Sequence, residues 1–258
     1  MTGLLQMEGK LDKMKINCVK WMIVLLLPPH NRMSYWLDLI QPIPKHCIQN
    51  ILMDLIQPIP NISVALAEEH DGLVSNLTDE QRGVYNTIMT AVDGNHGGVF
   101  FLYGHDGTGK TFLWRTLSAA IRSRGEIVLN VASSAIAAIL LPGGRTAHSK
   151  FVIPLNPEKD SSCNIKHGSH LAELIEKTRL IIWDEAPMMN KFCFEALDFT
   201  MRDLLKYTNP HAVNKPFGGK TVVFGGDYRQ ILPVIPGGTR QQIVYASLNS
   251  SYLWDNCK

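Results

Sequence analysis

One run of eight residues limits this chain more than any other: Gly104-His105-Asp106-Gly107-Thr108-Gly109-Lys110-Thr111. It fits the pattern G-x-x-x-x-G-K-[ST], whose meaning depends on what flanks it. Val99-Phe100-Phe101-Leu102-Tyr103 precedes it as a continuous apolar run, as expected of a strand buried on both faces. Phe112 to Ser123 follows and reads as a helix. In a strand, glycine loop and helix in that order, backbone N–H groups turn inward on phosphates. The helix adds its positive end. Gly104, Gly107, Thr108 and Gly109 form the expected cradle, Lys110 the contact to the β- and γ-phosphates, and Thr111 a hydroxyl ligand for magnesium. The ligands this predicts are ATP and Mg2+.

The flanking sequence supplies a fold for that loop. Thr78-Asp79-Glu80-Gln81 has capping-box spacing, Val84, Ile88, Met89 and Val92 follow at helical spacing, and Gly94 stops the helix. After the loop and its helix come strands at Ile127–Val131, Leu180–Trp183 and Thr221–Phe224. They alternate with helices at Ser134–Leu141, Leu171–Glu176 and Phe192–Tyr207, and Leu155 to Gly168 reads as a polar loop. Strands alternating with helices imply an α/β fold, a mostly parallel sheet with helices on both faces.

Two strand ends carry further chemistry. Leu180 to Trp183 runs into Asp184-Glu185, where Asp184 would hold magnesium and Glu185 would orient and deprotonate an attacking water. A helix N-terminus favouring acids is the alternative for the pair taken alone. Thr221 to Phe224 leaves through Gly225-Gly226 to Asp227-Tyr228-Arg229-Gln230, which places Gln230 near the γ-phosphate; an ordinary polar turn is the alternative there. Ser133-Ser134 and Gly143-Gly144-Arg145-Thr146-Ala147-His148-Ser149 offer hydroxyls, amides and a guanidinium suited to phosphates of a nucleic-acid strand, with His148 or Phe151 to stack on a base. By composition alone they read as solvated loops.

Composition narrows the partners. Apolar residues are 45% and charged ones 19%, enough for a core and too few charges for wholesale disorder. A formal net charge of +2 does not itself argue for nucleic acid. The five scattered cysteines form no Cys-x-x-Cys pair and read as reduced thiols without structural zinc. Trp21 to Leu27 is too short to span a bilayer, so no membrane is expected. Residues 1–72 differ from the rest. Leu37-Asp38-Leu39-Ile40-Gln41-Pro42-Ile43-Pro44 recurs sixteen residues on as Met53-Asp54-Leu55-Ile56-Gln57-Pro58-Ile59-Pro60. Two copies are too few for a solenoid. The expectation is a poorly structured segment over 1–72, or a docking segment for a partner, and an ordered domain over 73–258.

Taken in order, these segments resemble the Pif family of superfamily-one DNA helicases, most closely its plant and Helitron-associated members, from about Leu77 to Trp254. Leu77-Thr78-Asp79-Glu80-Gln81, the phosphate loop, Gly144 to Ser149, Trp183-Asp184-Glu185-Ala186-Pro187-Met188 and Gly226-Asp227-Tyr228-Arg229-Gln230-Ile231-Leu232-Pro233-Val234 carry the resemblance. It implies a RecA-like P-loop NTPase domain and an ATP-dependent helicase moving 5′ to 3′ on single-stranded DNA and 5′-tailed duplexes. It further implies work in repair, recombination and telomere maintenance, and location in the nucleus or, second, the mitochondrion. Gln81 would read the adenine edge and Gln230 would couple hydrolysis to movement. Ser133, Ser134, Arg145, Thr146, His148 and Ser149 would touch DNA. Two departures matter. Asp106 stands where the family usually has a small residue, and the chain stops at Lys258, which implies only the first of two motor domains. Two rivals follow: a fragment that binds ATP without unwinding, and a P-loop ATPase of another family.

Overall fold

The computed structural model describes residues 60–105 and 107–258. The repeat up to Ile59, Asp106, and the cysteines and lysines before residue 60 lie outside the described residues. Everything described falls within one compact unit, Ile56–Lys258.

A helix stands where a poorly structured segment was expected. Helix α1, Pro60–Ser75, runs across the predicted 72/73 boundary. Proline is tolerated in a helix's first turn, where its missing N–H would be an orphan in any case. Pro60 therefore stands at the first position of a helix. Leu66, Ala67, His70, Leu73 and Val74 are half-buried at helical spacing, and Glu69 pairs with Arg115 at 3.2 Å on the helix beneath.

Helix α2, Asp79–Asp93, has the predicted capping box at Thr78 and ends at Gly94. Strand β1, Gly98–Tyr103, leads through the glycine loop into helix α3, Lys110–Ser123. Then come β2, Ile127–Ala132; α4, Ala135–Leu140; β3, Arg145–Thr146; α5, Ala147–Phe151; α6, His170–Lys177; β4, Thr178–Asp184; α7, Lys191–Leu205; β5, Thr221–Gly226; and α8, Arg240–Ala246. The two-residue β3 lies inside a stretch read from composition as loop, because Val131↔Arg145 pairing recruits it onto β2.

The sheet is parallel throughout, in the order β1-β5-β4-β2-β3. Side chains alternate between its faces. Leu180, Ile182, Phe100, Val128 and Val223 face α2 and α3 with Ile88, Leu117 and Ile121. Ile181, Trp183, Val131, Val222 and Phe224 face α5, α6 and α7 with Phe151, Phe194 and Leu197. Both faces are apolar, which explains why the strands read as unbroken hydrophobic runs.

Candidate nucleotide and nucleic-acid site

The strand order determines what can meet at the site. β5 lies between β1 and β4, so the loop after β1 and the acids after β4 flank the glycines that end β5. The C-terminal ends are also level: Tyr103 is in register with Gly226, and Ala132 with both Asp184 and Thr146. In parallel α/β sheets ligands bind at this end.

The loop is held by one bond to β5 and by bonds within itself. Gly104 N–H donates to Gly226 C=O at 3.3 Å, tying the loop's start to β5. Thr108 Oγ1 donates to His105 C=O at 2.8 Å. Lys110 Nζ donates to the carbonyls of Gly104, at 2.5 Å, and His105, at 3.2 Å, which keeps the ammonium over the loop. Gly109 has φ 81°, where a side chain is strained, and a Cβ there would lie 2.4 Å from Gln81 Nε2. Thr111 is half-buried in the first turn of α3. Asp106 lies outside the described residues.

Gln81 reaches the loop from α2, its Nε2 donating to Thr108 C=O at 3.2 Å. Between the two is a cleft of about 250 Å3, lined by Gln81, Val84, Leu102, Tyr103, Gly109 and Lys110 among others. Apolar walls with a few convergent polar atoms are what a flat heteroaromatic ring requires. Tyr103, half exposed, was read from the sequence only as the end of a strand. Its place in the cleft follows from how α2 packs, which local pattern does not report.

Asp184 closes β4 and is 6% exposed. A Cβ on Gly225 would come within 3.3 Å of Asp184 Oδ1 and 2.4 Å of Trp114 Cζ2, so the glycine is what lets β5 pass between the carboxylate and α3. Glu185 follows in the left-handed region, φ 53°, ψ 38°. A non-glycine residue held there costs of order 1–3 kcal/mol and clusters at functional sites. Gln230 is half-buried in the turn after β5, where its N–H donates to Asp227 C=O at 3.1 Å and Arg229 N–H donates to Asp227 Oδ1 at 2.8 Å.

The residues expected on DNA fall into two groups. Ser133 and Ser134 have structural partners: Trp183 Nε1 donates to Ser133 Oγ at 3.1 Å, and Ser134 caps α4 by accepting from Ala137 N–H at 3.1 Å. Arg145, Thr146, His148 and Ser149 form β3 and the start of α5, with Arg145 and Ser149 exposed. Burial holds the His148 imidazole below its usual range, and burial with Arg145 nearby does the same to Lys150. Phe151 does not reach a base. It is fully buried and stacks on Trp183 at 6.1 Å.

His148 also lines a groove of about 350 Å3 between the turn after β4 and the segment after β5, with Leu155, Asn156, Met188, Pro233 and Val234 among its walls. Sequence reading missed this groove's far wall. The one signal was apolar residues in loops: Leu155 is 85% and Val234 81% exposed.

Among the described residues no three His, Cys, Asp or Glu gather as a metal site. The oxygen donors at hand are the Thr111 hydroxyl and the Asp184 carboxylate. One carboxylate plus hydroxyl and phosphate oxygens is the donor set that suits magnesium.

Comparison with known proteins bears on the same residues. Residues 76–258 match the family model described as PIF1-like helicase. The chain is 31% identical over 160 residues to the ATP-dependent DNA helicase PIF4 of Trypanosoma brucei brucei, covering 60% of this chain and 18% of that protein. It is 26% identical over 188 residues to the human ATP-dependent DNA helicase PIF1, covering 70% of this chain and 25% of that one. The fold resembles the crystal structure of a Bacteroides Pif1 helicase in complex with ADP-AlF3 and ssDNA, with TM-score 0.55 and 28% identity, over 70% of this chain and 40% of that one. The chain thus spans less than half the length of each of these relatives.

Proposed function

The chain belongs to the PIF1-like helicase family, and on that premise we propose that it forms one wall of an ATP-driven motor that separates DNA strands moving 5′ to 3′. One observation carries this reading. Gln81, Lys110 and the apolar cleft between them are assembled at the carboxyl end of β1, one strand away from Asp184 at the end of β4. Family membership leaves no room for a P-loop ATPase of unrelated type.

In this reading the backbone amides from Gly104 to Gly109 hold the phosphates, and Lys110 exchanges its loop carbonyls for β- and γ-phosphate oxygens. Thr111 and Asp184 hold Mg2+, which supplies charge neutralisation at the transferring phosphoryl group. Glu185 takes a proton from the attacking water. Gln230 follows β5 and transmits loss of the γ-phosphate. Arg145, Lys150 and His148 grip the DNA strand, the neutral imidazole stacking and the cations meeting phosphates. Work in repair, recombination and telomere maintenance, in the nucleus or mitochondrion, is the biological setting proposed, and the site of a fluorescent fusion in cells tests the location.

The test is ATP hydrolysis by the full chain with and without single-stranded DNA, and unwinding of 5′-tailed against 3′-tailed duplexes, with Lys110→Ala as control. DNA-stimulated hydrolysis with unwinding from the 5′ tail alone supports the proposal. Unwinding from the 3′ tail overturns the polarity, and hydrolysis indifferent to DNA overturns the motor. The second reading is nucleotide binding without strand separation. It predicts tight ATP binding with neither activity.

A further inference from the structure

Strand β2 carries one polar side chain among apolar ones, Asn130, and it is 3% exposed. It faces α3, as Val128 and Ala132 do on the same strand. Its Nδ2 donates to Ser118 Oγ at 2.9 Å and to Pro142 C=O at 2.8 Å, so both amide hydrogens are committed. Arg122, one turn beyond Ser118 on α3, donates from Nη2 to the same carbonyl at 2.9 Å. Both lone pairs of the Pro142 oxygen are therefore taken.

A buried polar group costs stability unless it is bonded, and apolar groups of the same shape can replace a bonded pair at little cost. What a fully bonded buried network adds is a single conformation. The conformation held here is that of the chain leaving Pro142. Gly143, at φ 61°, packs over the guanidinium, where a Cβ would lie 3.3 Å from Arg122 Nη2, and Gly144 follows. Two glycines hold no direction of their own. Arg145 comes next, in a strand of two residues paired with Val131 and Ala132, the residues directly after Asn130. A strand that short has little register of its own, and a slip of one residue would turn Arg145 to the other face. Ala147, fully buried, anchors the far end of the segment, and Pro142 anchors the near one.

We infer that Asn130 and Arg122 set the strength of DNA binding by holding Pro142 so that Arg145 meets a backbone phosphate. Both are positioning residues that act through Arg145, and the inference rests on the reading that Arg145 to Ser149 contact single-stranded DNA. Asn130 is buried and uncharged, so it touches no phosphate itself. Ser118 and Arg122 belong to the helix that begins at Lys110, so the helix behind the phosphate loop also holds the turn that presents Arg145.

The experiment measures the affinity of the full chain for a fluorescent oligothymidylate over a range of salt concentrations, with ATP affinity and urea unfolding alongside. Each phosphate contact to a single strand contributes about 0.7 to the slope of log affinity against log salt. Arg145→Ala should therefore lower the slope by about 0.7, and Asn130→Val should lower it by most of that amount, with ATP affinity within about twofold of the original. In the double variant the slope should fall no further than in Arg145→Ala alone, because the two residues act as one unit. Arg122→Met should behave as Asn130→Val does, and it carries the test if Asn130→Val does not unfold cooperatively in urea. An unchanged slope in Asn130→Val beside a lowered one in Arg145→Ala overturns the inference. Effects that add in the double variant overturn it as well, since they mean independent action. A loss of ATP affinity equal to the loss for DNA would mean a merely structural role and overturn it too. If Arg145→Ala itself leaves the slope unchanged, the DNA reading of that segment fails and takes the inference with it.

Discussion

At the scale of single residues, two positions separate chemistry from scaffolding. Glu185 is the proposed base, so Glu185→Gln should lower the DNA-stimulated hydrolysis rate by about 10²–10⁴ while ATP affinity stays within a few fold. A rate within about threefold of the original would reassign the base. Gly109 serves geometry: alanine there meets φ 81° and the Gln81 amide at once. Gly109→Ala should therefore weaken ATP binding at least tenfold in equilibrium titration. Gly107→Ala, at φ 84° but with open space around it, should show the backbone cost alone. Both glycines were legible in the sequence as members of the phosphate loop. The crowding by Gln81 was not, because it comes from a residue twenty-eight positions away on another helix.

At the scale of elements, caps and register decide more than propensity. Ser134 begins α4 and was expected on DNA. Ser134→Ala should cost about 0.5–2 kcal/mol of stability in urea titration with no DNA present. A loss of DNA affinity in that variant counts as contact only where it exceeds what the fold has lost. An unchanged urea midpoint would mean the cap contributes nothing. The elements that sequence found were those with strong local signals: the capping box at Thr78, the apolar runs of β1, β4 and β5, and the glycine stop at Gly94. Those it missed lacked one. β3 exists only because β2 pairs with it, and α1 has a half-buried face whose burial depends on α3.

At the scale of the whole molecule, the two apolar layers also bury titratable groups. Cys163 and Cys193 lie in the layer under α7, and burial pushes both thiols up from 9.0 to about 12. An unfolded chain ionises them near 9 and the folded one does not, so their stabilising contribution is complete below pH 9 and is lost as pH rises from 9 toward 12. Urea midpoints should therefore fall between pH 8 and pH 10.5 more steeply for the natural chain than for a Cys163→Ala, Cys193→Ala variant. Equal slopes would show the thiols are not protected. The sequence by itself determined the phosphate loop, the alternation of strands and helices, and the acids and glutamine that follow β4 and β5, because each depends on neighbours within a few residues. Only the tertiary structure decided that β5 separates the loop from the acids, that Phe151 is core, that Tyr103 and Gln81 share a cleft, and that Leu155 and Val234 line one groove. Those facts depend on strand order and packing between distant segments, and hydrophobic periodicity records that a face is buried without recording what buries it.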